Sequence, residues 1–381
     1  MLSPADWSLQ PGIHFLNHGS FGATPRFLLE EQRRWQDRLE RQPVLFHRDL
    51  PELMKTARLA LAGYLGCHHD DLVYITNSTY GCNVAMAALR PLLQPGDEVL
   101  TTSHEYGACI RALHNHLEGT GAAIRTVNIP MPVPPRAQIL QLLRQGITNR
   151  TRAVFISHVT SPTAVALPVE ELLGELRTAG ILSIVDGSHV PGHLPLNLEE
   201  LGADFYTGNL HKWMCTPKGS AFFYVRRAMQ DAVRPLITSW GGDGSGLKES
   251  RFVDEHEYLG TRDPSAFLTV PTVLQWMDRN DWHSVVTRCK DMVQETVDAL
   301  EARHGFQPMH ADRADECLLM GAVLLPQHVD VVQAKEDLYN KHNVEVVVHR
   351  WLNQPILRFS VFAHTTSVDL EALLNASSTL K

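Results

Sequence analysis

The chain has 381 residues, of which 44% are hydrophobic and 20% charged, and its formal net charge is −8. This length predicts one large domain and one smaller domain, and the composition is typical of a globular enzyme, not of a disordered or fibrous protein. The negative charge argues against nucleic acid and anionic membrane surfaces as partners.

Short apolar runs alternate with segments of helical period over the first 230 or so residues. The runs are almost continuously apolar, which predicts a mostly parallel sheet covered by helices on both faces. The predicted strands span residues 73–76, 98–102, 153–158, 181–186, 204–206 and 220–225, and the predicted helices between them include 80–89, 138–145 and 169–179.

The pattern changes near residue 271 to a long helical segment at 285–303, followed by short strands at 318–325, 344–348 and 356–361. We therefore predict an α/β chain with a large domain at 21–270 and a smaller α+β domain at 271–381. Residues 1–20 are expected to pack near the smaller domain.

The cysteines and the amino terminus predict the compartment. Six cysteines without C-x-x-C spacing indicate reduced thiols, and no leader pattern or long apolar run occurs, so we expect a cytoplasmic protein without a membrane span. The adjacent histidines of Cys67-His68-His69 do not share a helix face, and no other ligand set has metal-site spacing, so we expect no metal.

Polar residues gather where the predicted strands end, which is where open α/β sheets bind their ligands. The segment Asn77-Ser78-Thr79 precedes a helix, so its amides and hydroxyls could bind a phosphate, although a plain N-cap is the commoner use of such residues. No glycine-rich loop for a nucleoside triphosphate or a dinucleotide is present.

Lys212 and Asp186 form the most informative pair in the sequence. Lys212 lies in Asn209-Leu210-His211-Lys212-Trp213, one strand downstream of Val185-Asp186-Gly187-Ser188-His189. A lysine that bonds to an aldehyde and an aspartate that keeps a pyridine nitrogen protonated are the groups that pyridoxal 5′-phosphate (PLP) requires. Alone, each residue would be a surface lysine or a helix cap; together they predict a PLP site.

Six motifs occur in the order found in fold-type I PLP enzymes of the class V aminotransferase family, and the chain resembles its isopenicillin N epimerase-like branch in particular. That branch includes hercynylcysteine sulfoxide lyase-like and lincosamide S-conjugate-processing enzymes. The resemblance implies a large, mostly parallel sheet domain and a smaller α+β carboxyl-terminal domain. The matching motifs span residues 16–22, 103–108, 157–163, 185–189, 209–213 and 260–263.

The resemblance also implies how PLP would be held. Lys212 would carry the cofactor covalently, Asp186 would pair with its ring nitrogen, and His189 would hydrogen-bond its phenolate oxygen. His104 would stack on the ring. The catalytic residues implied are thus Lys212, Asp186 and His104.

The phosphate of PLP would be bound by residues from two subunits. Within one subunit the resemblance implies Ser78, Thr79 and His211, and across the interface it implies Thr261 of the partner subunit. It therefore implies a homodimer with active sites at the subunit interface.

The substrate would be an amino acid whose carboxylate binds Arg358, assisted by Asn17. Without the resemblance, Arg358 could equally form a rim salt bridge. Arg48 and residues 240–247 and 349–354 are expected to border the substrate pocket, with 241–246 as a lid or a plain loop. Trp213 and Trp240 are expected to be packing residues at the wall of the site.

The sequence favours one reaction among several. Lys212 would remove the Cα proton, and β-elimination needs only this base, an electron sink and a leaving group. Residues 341–357 contain no cysteine, which disfavours desulfuration unless Cys109 or Cys215 reaches the substrate.

We therefore predict a carbon–sulfur lyase acting on a cysteine S-conjugate in natural-product or thiol metabolism. An epimerase, with His104 as the second acid/base, is the main alternative. Decarboxylating, deaminating and aminotransferase variants and a catalytically silent binding protein are further alternatives.

Overall fold

The computed structural model describes residues 4–243, 250–312 and 318–381. Within these ranges the strands are β1 (His14–Phe15), β2 (Leu72–Ile75), β3 (Glu98–Thr102), β4 (Ala123–Val127), β5 (Thr151–Ser157), β6 (Leu182–Asp186), β7 (Phe205–Asn209), β8 (Ala221–Val225), β9 (Gln307–Pro308), β10 (Met320–Leu324), β11 (Val344–Glu345), β12 (Val347–Trp351) and β13 (Gln354–Ser360).

The helices of the same ranges surround these strands, and short 3₁₀ turns connect several of them. None of the helices in the described residues combines the length and the apolar character that crossing a membrane requires. The α-helices are α1 (His18–Phe21), α2 (Arg26–Arg41), α3 (Pro43–Leu65), α4 (Ser78–Leu89), α5 (Gly107–Leu117), α6 (Arg136–Gly146), α7 (Val169–Thr178), α8 (Leu198–Leu201), α9 (Arg251–Glu257), α10 (Ser265–Leu268), α11 (Val270–Arg279), α12 (Trp282–His304), α13 (Val331–His342) and α14 (Ser367–Ala376).

Among the described residues, seven strands form a large sheet in the order β2-β8-β7-β6-β5-β3-β4. All neighbouring pairs from β7 to β4 are parallel, and β8 runs antiparallel to both β2 and β7. Because β2 and β7 oppose the same strand, the carboxyl ends of β2, β3, β5, β6 and β7 lie along one edge. The mostly parallel sheet predicted from the sequence is confirmed.

Both faces of this sheet are buried, which explains the continuously apolar strands. Ile184 and Phe205 face one core, which α4 and α5 cover, whereas the next residue on each strand, Val185 and Tyr206, faces the other core, which α6 and α7 cover. A side chain on either face is therefore removed from water, so neither face favours polar residues.

A second, antiparallel sheet lies in the carboxyl-terminal part of the described chain and has the order β12-β13-β10-β9. Helix α12 packs against β10. The amino-terminal segment reaches this region, because β1 pairs in parallel with β11 and the backbone N–H of Ser360 donates to the carbonyl of Leu16 at 2.7 Å. The domain limits at 270 and 271 stay a prediction; that limit falls at the start of α11, which packs against α3.

Most predicted strands and helices of the large sheet lie within three residues of their observed bounds, but three features differ. Strand β4 was not predicted, because it is an edge strand with mostly exposed or half-exposed side chains and so lacks the apolar run of its neighbours. The predicted strand at 344–348 is two strands, β11 and β12, in different sheets. The long helices α2 and α3 were not predicted either.

A buried ion pair joins α3, α9 and β2. Arg58 Nη1 donates to Glu257 Oε2 at 2.7 Å, and both side chains are only 1% exposed. Glu257 Oε1 accepts from the backbone N–H of Tyr74 at 3.1 Å. Removing one partner of such a pair leaves the other as an uncompensated buried charge, which costs more than an exposed ion pair contributes.

We expect Arg58→Ala to lower the free energy of unfolding by about 3–5 kcal/mol, because Glu257 loses its counter-charge in the core. The matched control is Arg38→Ala, since Arg38 pairs with Asp49 at 2.9 Å where both side chains are nearly half exposed. That control should cost less than about 1 kcal/mol. Urea denaturation of both variants measures the difference, and equal losses would contradict the expectation.

Candidate active site

A cavity of about 440 Å³ opens at the carboxyl edge of the large sheet. Its walls come from the residues that follow β2, β3, β5, β6 and β7 and from the amino-terminal segment. Five residues that the sequence assigned to the site line it, and these are Thr79, Asp186, His189, His211 and Lys212.

Lys212 is held in place from its backbone. The carbonyl oxygen of Lys212 accepts a hydrogen bond from His18 Nε2 at 3.0 Å, so His18, which is fully buried, positions the lysine from behind. Gly22 passes so close to this loop that a Cβ there would lie 2.0 Å from the His211 carbonyl oxygen, and its φ of +70° also favours glycine. The loop after β7 thus rests on the amino-terminal segment.

The amine of Lys212 lies inside the cavity wall. The side chain is 8% exposed, and Nζ lies 3.0 Å from His189 Nε2. Burial lowers the pKa of Lys212 to about 8; Arg358 acts in the same direction, and Asp186 opposes it. About half of the amine is therefore neutral near pH 8, and a neutral amine can act as a nucleophile or a base.

Asp186 ends β6 with its carboxylate fixed on both oxygens. Oδ1 accepts from the backbone N–H of Ser188 at 2.9 Å and from its hydroxyl, and Oδ2 accepts from the Cys109 thiol at 3.7 Å. The residue is 4% exposed and still lines the cavity. A carboxylate held in this way can pair with a cationic ring nitrogen.

The amino terminus of α4 faces the cavity with Asn77 as its N-cap, whose side chain accepts from the Tyr80 amide at 3.0 Å. Thr79 lines the cavity, whereas Ser78 is 1% exposed and does not. Among the described residues, no hydrogen-bond partner lies within reach of Ser78 Oγ. A helix start with an unused hydroxyl suits an anionic ligand.

Asn209 is a candidate ligand residue that the sequence reasoning missed. It lines the cavity, and its Oδ1 accepts from the Ser78 amide at 2.9 Å, which leaves its Nδ2 to donate to a ligand. The signal was available, since Asn209 stands three residues before Lys212 at the end of β7. In His211, by contrast, Nδ1–H donates to the Ser220 carbonyl at 2.9 Å. The neutral ring therefore has no proton on Nε2 and can only accept a hydrogen bond there.

Arg358 is a buried cation in β13. Its Nη2 donates to Ser20 Oγ at 2.9 Å and lies 3.5 Å from Asn17 Oδ1, and its Nη1 donates to Ser161. Burial lowers the pKa of Arg358 to about 10. No carboxylate of the described residues lies within ion-pair distance of it.

The surroundings of Arg358 reach the cavity, because Ser20 and Ser161 line it. Asn17 does not line the cavity: its Nδ2 donates to Glu345 at 3.0 Å, and its Oδ1 accepts from the Ser20 hydroxyl at 2.6 Å. It therefore lies behind Arg358 and Ser20, where it can orient them.

The structure contradicts the position predicted for His104. This side chain is fully buried and outside the cavity, with Nδ1 2.8 Å from Thr163 Oγ1 and Nε2 3.0 Å from the Ile129 carbonyl oxygen. Glu105 anchors the turn after β3 on the backbone N–H of Ser157 at 2.8 Å. Tyr106, two residues after His104, is the ring that lines the cavity, and it is 45% exposed.

Several other predicted residues lie away from this cavity. Thr261 is exposed and does not line it, as expected if it serves the partner subunit, so its role stays a prediction. Trp240 is 69% exposed in the single chain and does not line the cavity, so its packing at the site wall stays a prediction. Arg48 is exposed, and His349 Nε2 bonds to the Pro162 carbonyl at 3.0 Å outside the cavity wall. Half of the predicted lid at 241–246 lies outside the described residues.

Neither cysteine considered as a nucleophile is suited to that role. Cys109 is 1% exposed and Cys215 is fully buried. Burial raises the pKa of the Cys215 thiol. The hydrogen bond with Cys82 lowers the pKa of Cys109, but burial and the charges of Asp186 and Glu105 together outweigh it, so that pKa is raised too. A buried thiol with a raised pKa forms little thiolate at neutral pH. Cys317 lies outside the described residues.

The adjacent histidines converge more than the sequence suggested. His68, His69 and Asp70 bring potential ligand atoms within 4.8 Å of one another at a 3₁₀ turn, because His68 caps the turn instead of lying on a regular helix. Arg227 Nη2 lies 3.2 Å from His68 Nδ1, so a cation already occupies one of these ligand atoms.

A family model described as aminotransferase class-V matches residues 28–373. The chain belongs to the class-V aminotransferase family. It is therefore a PLP-dependent enzyme of this family, as the sequence motifs predicted.

Relatives of this class-V chain carry different names. Isopenicillin N epimerase of Amycolatopsis lactamdurans is 30% identical over 97% of this chain and 95% of that enzyme. The probable chloroplastic L-cysteine desulfhydrase of Arabidopsis thaliana is 32% identical over 71% of this chain and 59% of that protein. The solved structure of a C-DES mutant with glycine covalently linked to its PLP cofactor has a TM-score of 0.87 at 17% identity and covers 100% of both chains. The last likeness confirms the fold.

The cavity of this class-V enzyme fits PLP. Its wall contains an amine with a lowered pKa, Lys212, and a fixed carboxylate, Asp186. Thr79, at the start of α4, lines the wall at a third position, and the hydroxyl of Ser78 beside it lacks a protein partner among the described residues. These three chemistries match the aldehyde, the ring nitrogen and the phosphate of the cofactor.

We expect Lys212→Ala to abolish covalent attachment of PLP, because no other amine replaces the buried Nζ. Borohydride reduction followed by peptide mass spectrometry measures the attachment site. The control is Lys218→Ala, since Lys218 is a nearby lysine that bonds to Thr24 at 3.5 Å and does not line the cavity. Label that persists in Lys212→Ala and disappears in Lys218→Ala would contradict the assignment.

Tyr106 should support the cofactor ring in place of His104. We expect Tyr106→Ala to weaken PLP binding by about 1 kcal/mol, or about fivefold, and Tyr106→Phe to leave it nearly unchanged, because an aromatic face supplies the contact. Absorbance titration of the cofactor-free enzyme measures the dissociation constants. Weakening by His104→Gln without weakening by Tyr106→Ala would restore the original assignment.

Proposed function

We propose that this enzyme is a β-eliminating carbon–sulfur lyase that acts on a cysteine S-conjugate. The observation that supports this choice is the composition of the cavity wall: the buried base Lys212 belongs to it, whereas His104 lies outside it. Elimination needs one base, whereas an epimerase that works from two faces of Cα needs a second acid/base, and His104 was the candidate for it.

Six side chains of this chain would hold PLP. Lys212 would bond to it covalently, Asp186 would pair with its ring nitrogen, and His189 would donate to its phenolate oxygen. Ser78, Thr79 and Asn209 would donate to the phosphate, and His211 would need a proton on Nε2 to join them, because its Nδ1 is used on the Ser220 carbonyl. When bound, PLP supplies an electron-withdrawing ring that stabilises the negative charge left on Cα when its proton is removed.

The substrate carboxylate binds Arg358 in this proposal. A planar guanidinium can hold a carboxylate through two parallel hydrogen bonds, and the absence of an acidic partner among the described residues leaves this cation available. Arg358 itself does not line the cavity, but Ser20 and Ser161, to which it donates, do, so a carboxylate would reach it at that part of the wall.

Once the substrate amino group has replaced it on the cofactor, the Lys212 amine would be free, and in its neutral form it would remove the Cα proton. The electron pair of the Cα–H bond forms the Cα–Cβ double bond, the Cβ–S bond breaks, and the sulfur leaves with a proton as a thiol. Hydrolysis of the remaining fragment gives pyruvate and ammonia, so one water is consumed and no oxidant or reductant is needed. No cysteine of the enzyme takes part, which agrees with the burial of Cys109 and Cys215.

The functional unit in this proposal is a homodimer. Thr261 is exposed and does not line the cavity of its own chain, which leaves it available to the phosphate site of a partner subunit. Large apolar side chains near the cavity mouth and in the segment before 244 are also exposed, with Phe21 at 74% and Trp240 at 69%. Burial of such side chains against a second copy would be favourable.

Epimerisation is the second candidate. It is favoured by the isopenicillin N epimerase of Amycolatopsis lactamdurans, which aligns over nearly the whole of both chains. An epimerase would use the same proton removal by Lys212 and then return a proton to the opposite face of Cα. Besides Lys212 and Asp186, the titratable groups of the cavity wall are Tyr106, His189 and His211, and in this alternative one of them would have to supply that proton.

Incubation of the PLP-loaded enzyme in deuterium oxide with an S-substituted cysteine and its sulfoxide separates the two candidates. We expect pyruvate and the released sulfur group in equal amounts, a thiol from the S-substituted cysteine and a sulfenic acid from its sulfoxide, both followed by mass spectrometry. Lys212→Ala should lower this activity by about 10²–10⁴-fold, because the base is gone. An intact amino acid carrying deuterium at Cα, without pyruvate, would overturn the lyase for these substrates and favour the epimerase.

A further inference from the structure

Trp213, the residue after Lys212, forms a side-chain hydrogen bond in addition to its packing contacts. The indole is fully buried, and its Nε1–H donates to His189 Nδ1 at 3.3 Å. The other ring nitrogen of the same histidine, Nε2, lies 3.0 Å from Lys212 Nζ. One imidazole therefore connects an indole to the amine.

The direction of these hydrogen bonds follows from the donor chemistry. An indole N–H can only donate, so His189 Nδ1 must accept and the proton of the neutral ring must be on Nε2. Nε2–H then donates to Lys212, and only a neutral amine can accept, because an ammonium group has no lone pair. The reverse tautomer would set two N–H groups against each other at Trp213.

The backbone around His189 and Trp213 is held on both sides. The His189 carbonyl accepts from His193 Nδ1 at 2.8 Å, and His193 Nε2 accepts from the Leu319 amide at 2.9 Å. Gly192 lies so close to Trp213 that a Cβ would approach the Trp213 carbonyl to 2.5 Å. These contacts leave little freedom for the imidazole to rotate away from the indole.

We propose that Trp213 is a positioning residue that fixes the Nε2–H tautomer of His189 and thereby favours the neutral amine of Lys212. The same tautomer presents Nε2–H as a donor to the phenolate oxygen of PLP once the cofactor is bound. This inference rests on the proposed role of Lys212 as the residue that PLP modifies.

The charges that face these groups are independent of Trp213. Around Lys212, burial and Arg358 lower the pKa, whereas Asp186 and Cys109 raise it. Around His189, burial lowers the pKa most, and Lys212, Arg358 and His193 act in the same direction. Removing the indole N–H alone leaves all of these in place, so a change in Lys212 can be assigned to the hydrogen bond.

The test replaces Trp213 by benzothienylalanine, which keeps the bicyclic shape and lacks the N–H. In the full-length cofactor-free protein with ¹⁵N-labelled histidine, we expect His189 of the wild type to show a protonated Nε2 and a bare Nδ1, and the variant to lose this preference. The extent of trace reductive methylation of Lys212 is then measured against pH. The midpoint of this profile should lie about one pH unit higher in the variant, which gives about tenfold less modification at pH 7. Trp213→Phe should show the same shift.

Trp282→Phe is the matched control, because its indole is also partly buried and donates to the Gly192 carbonyl at 2.8 Å instead of to His189. It should leave the pH profile of Lys212 unchanged. An unchanged histidine tautomer and pH profile in the benzothienylalanine protein would overturn the inference. Failure of the proposed function looks different, since borohydride reduction would then find PLP on a residue other than Lys212 in the wild type.

Discussion

The burial of one amine, that of Lys212, governs the arrangement of this enzyme. Taking an ammonium group out of water is costly, so a buried lysine stays neutral unless counter-charges compensate for the lost hydration. Asp186 compensates only in part, and Arg358 acts against it. The result is an amine whose pKa lies near the physiological range, which both covalent attachment and proton removal require.

That amine needs a rigid support, and the support comes from three parts of the chain. Strand β7 and the loop after it carry Lys212, the amino-terminal segment contributes His18 and Gly22 beneath the loop, and β6 contributes Asp186. The amino-terminal segment also pairs with β11 and β13 of the carboxyl-terminal part. Residues distant in sequence are thereby held together around one side chain.

The charges of the cavity explain the kind of ligand that it suits. Lys212 lines the cavity, Arg358 lies behind Ser20 and Ser161 of its wall, and the helix start of α4 adds a partial positive charge at a third place. Asp186 is the carboxylate of the cavity wall. A cofactor with a phosphate and a substrate with a carboxylate would balance this excess, and the Asp186 carboxylate would serve the cationic ring nitrogen between them.

The sequence by itself determined the mostly parallel sheet and the family, and it predicted which residues meet at the carboxyl edge of that sheet. Strands buried on both faces read as continuous apolar runs, and parallel strands bring their carboxyl ends to one edge, so Lys212, Asp186 and His189 could be placed there without coordinates. Only the tertiary structure decided which side chains face the cavity. The turn anchored by Glu105 directs Tyr106 into the cavity and buries His104. The indole of Trp213, which the sequence predicted only as a packing residue, donates a hydrogen bond to His189. Such choices depend on turn geometry and on hydrogen-bond partners more than twenty residues away, which local patterns do not encode.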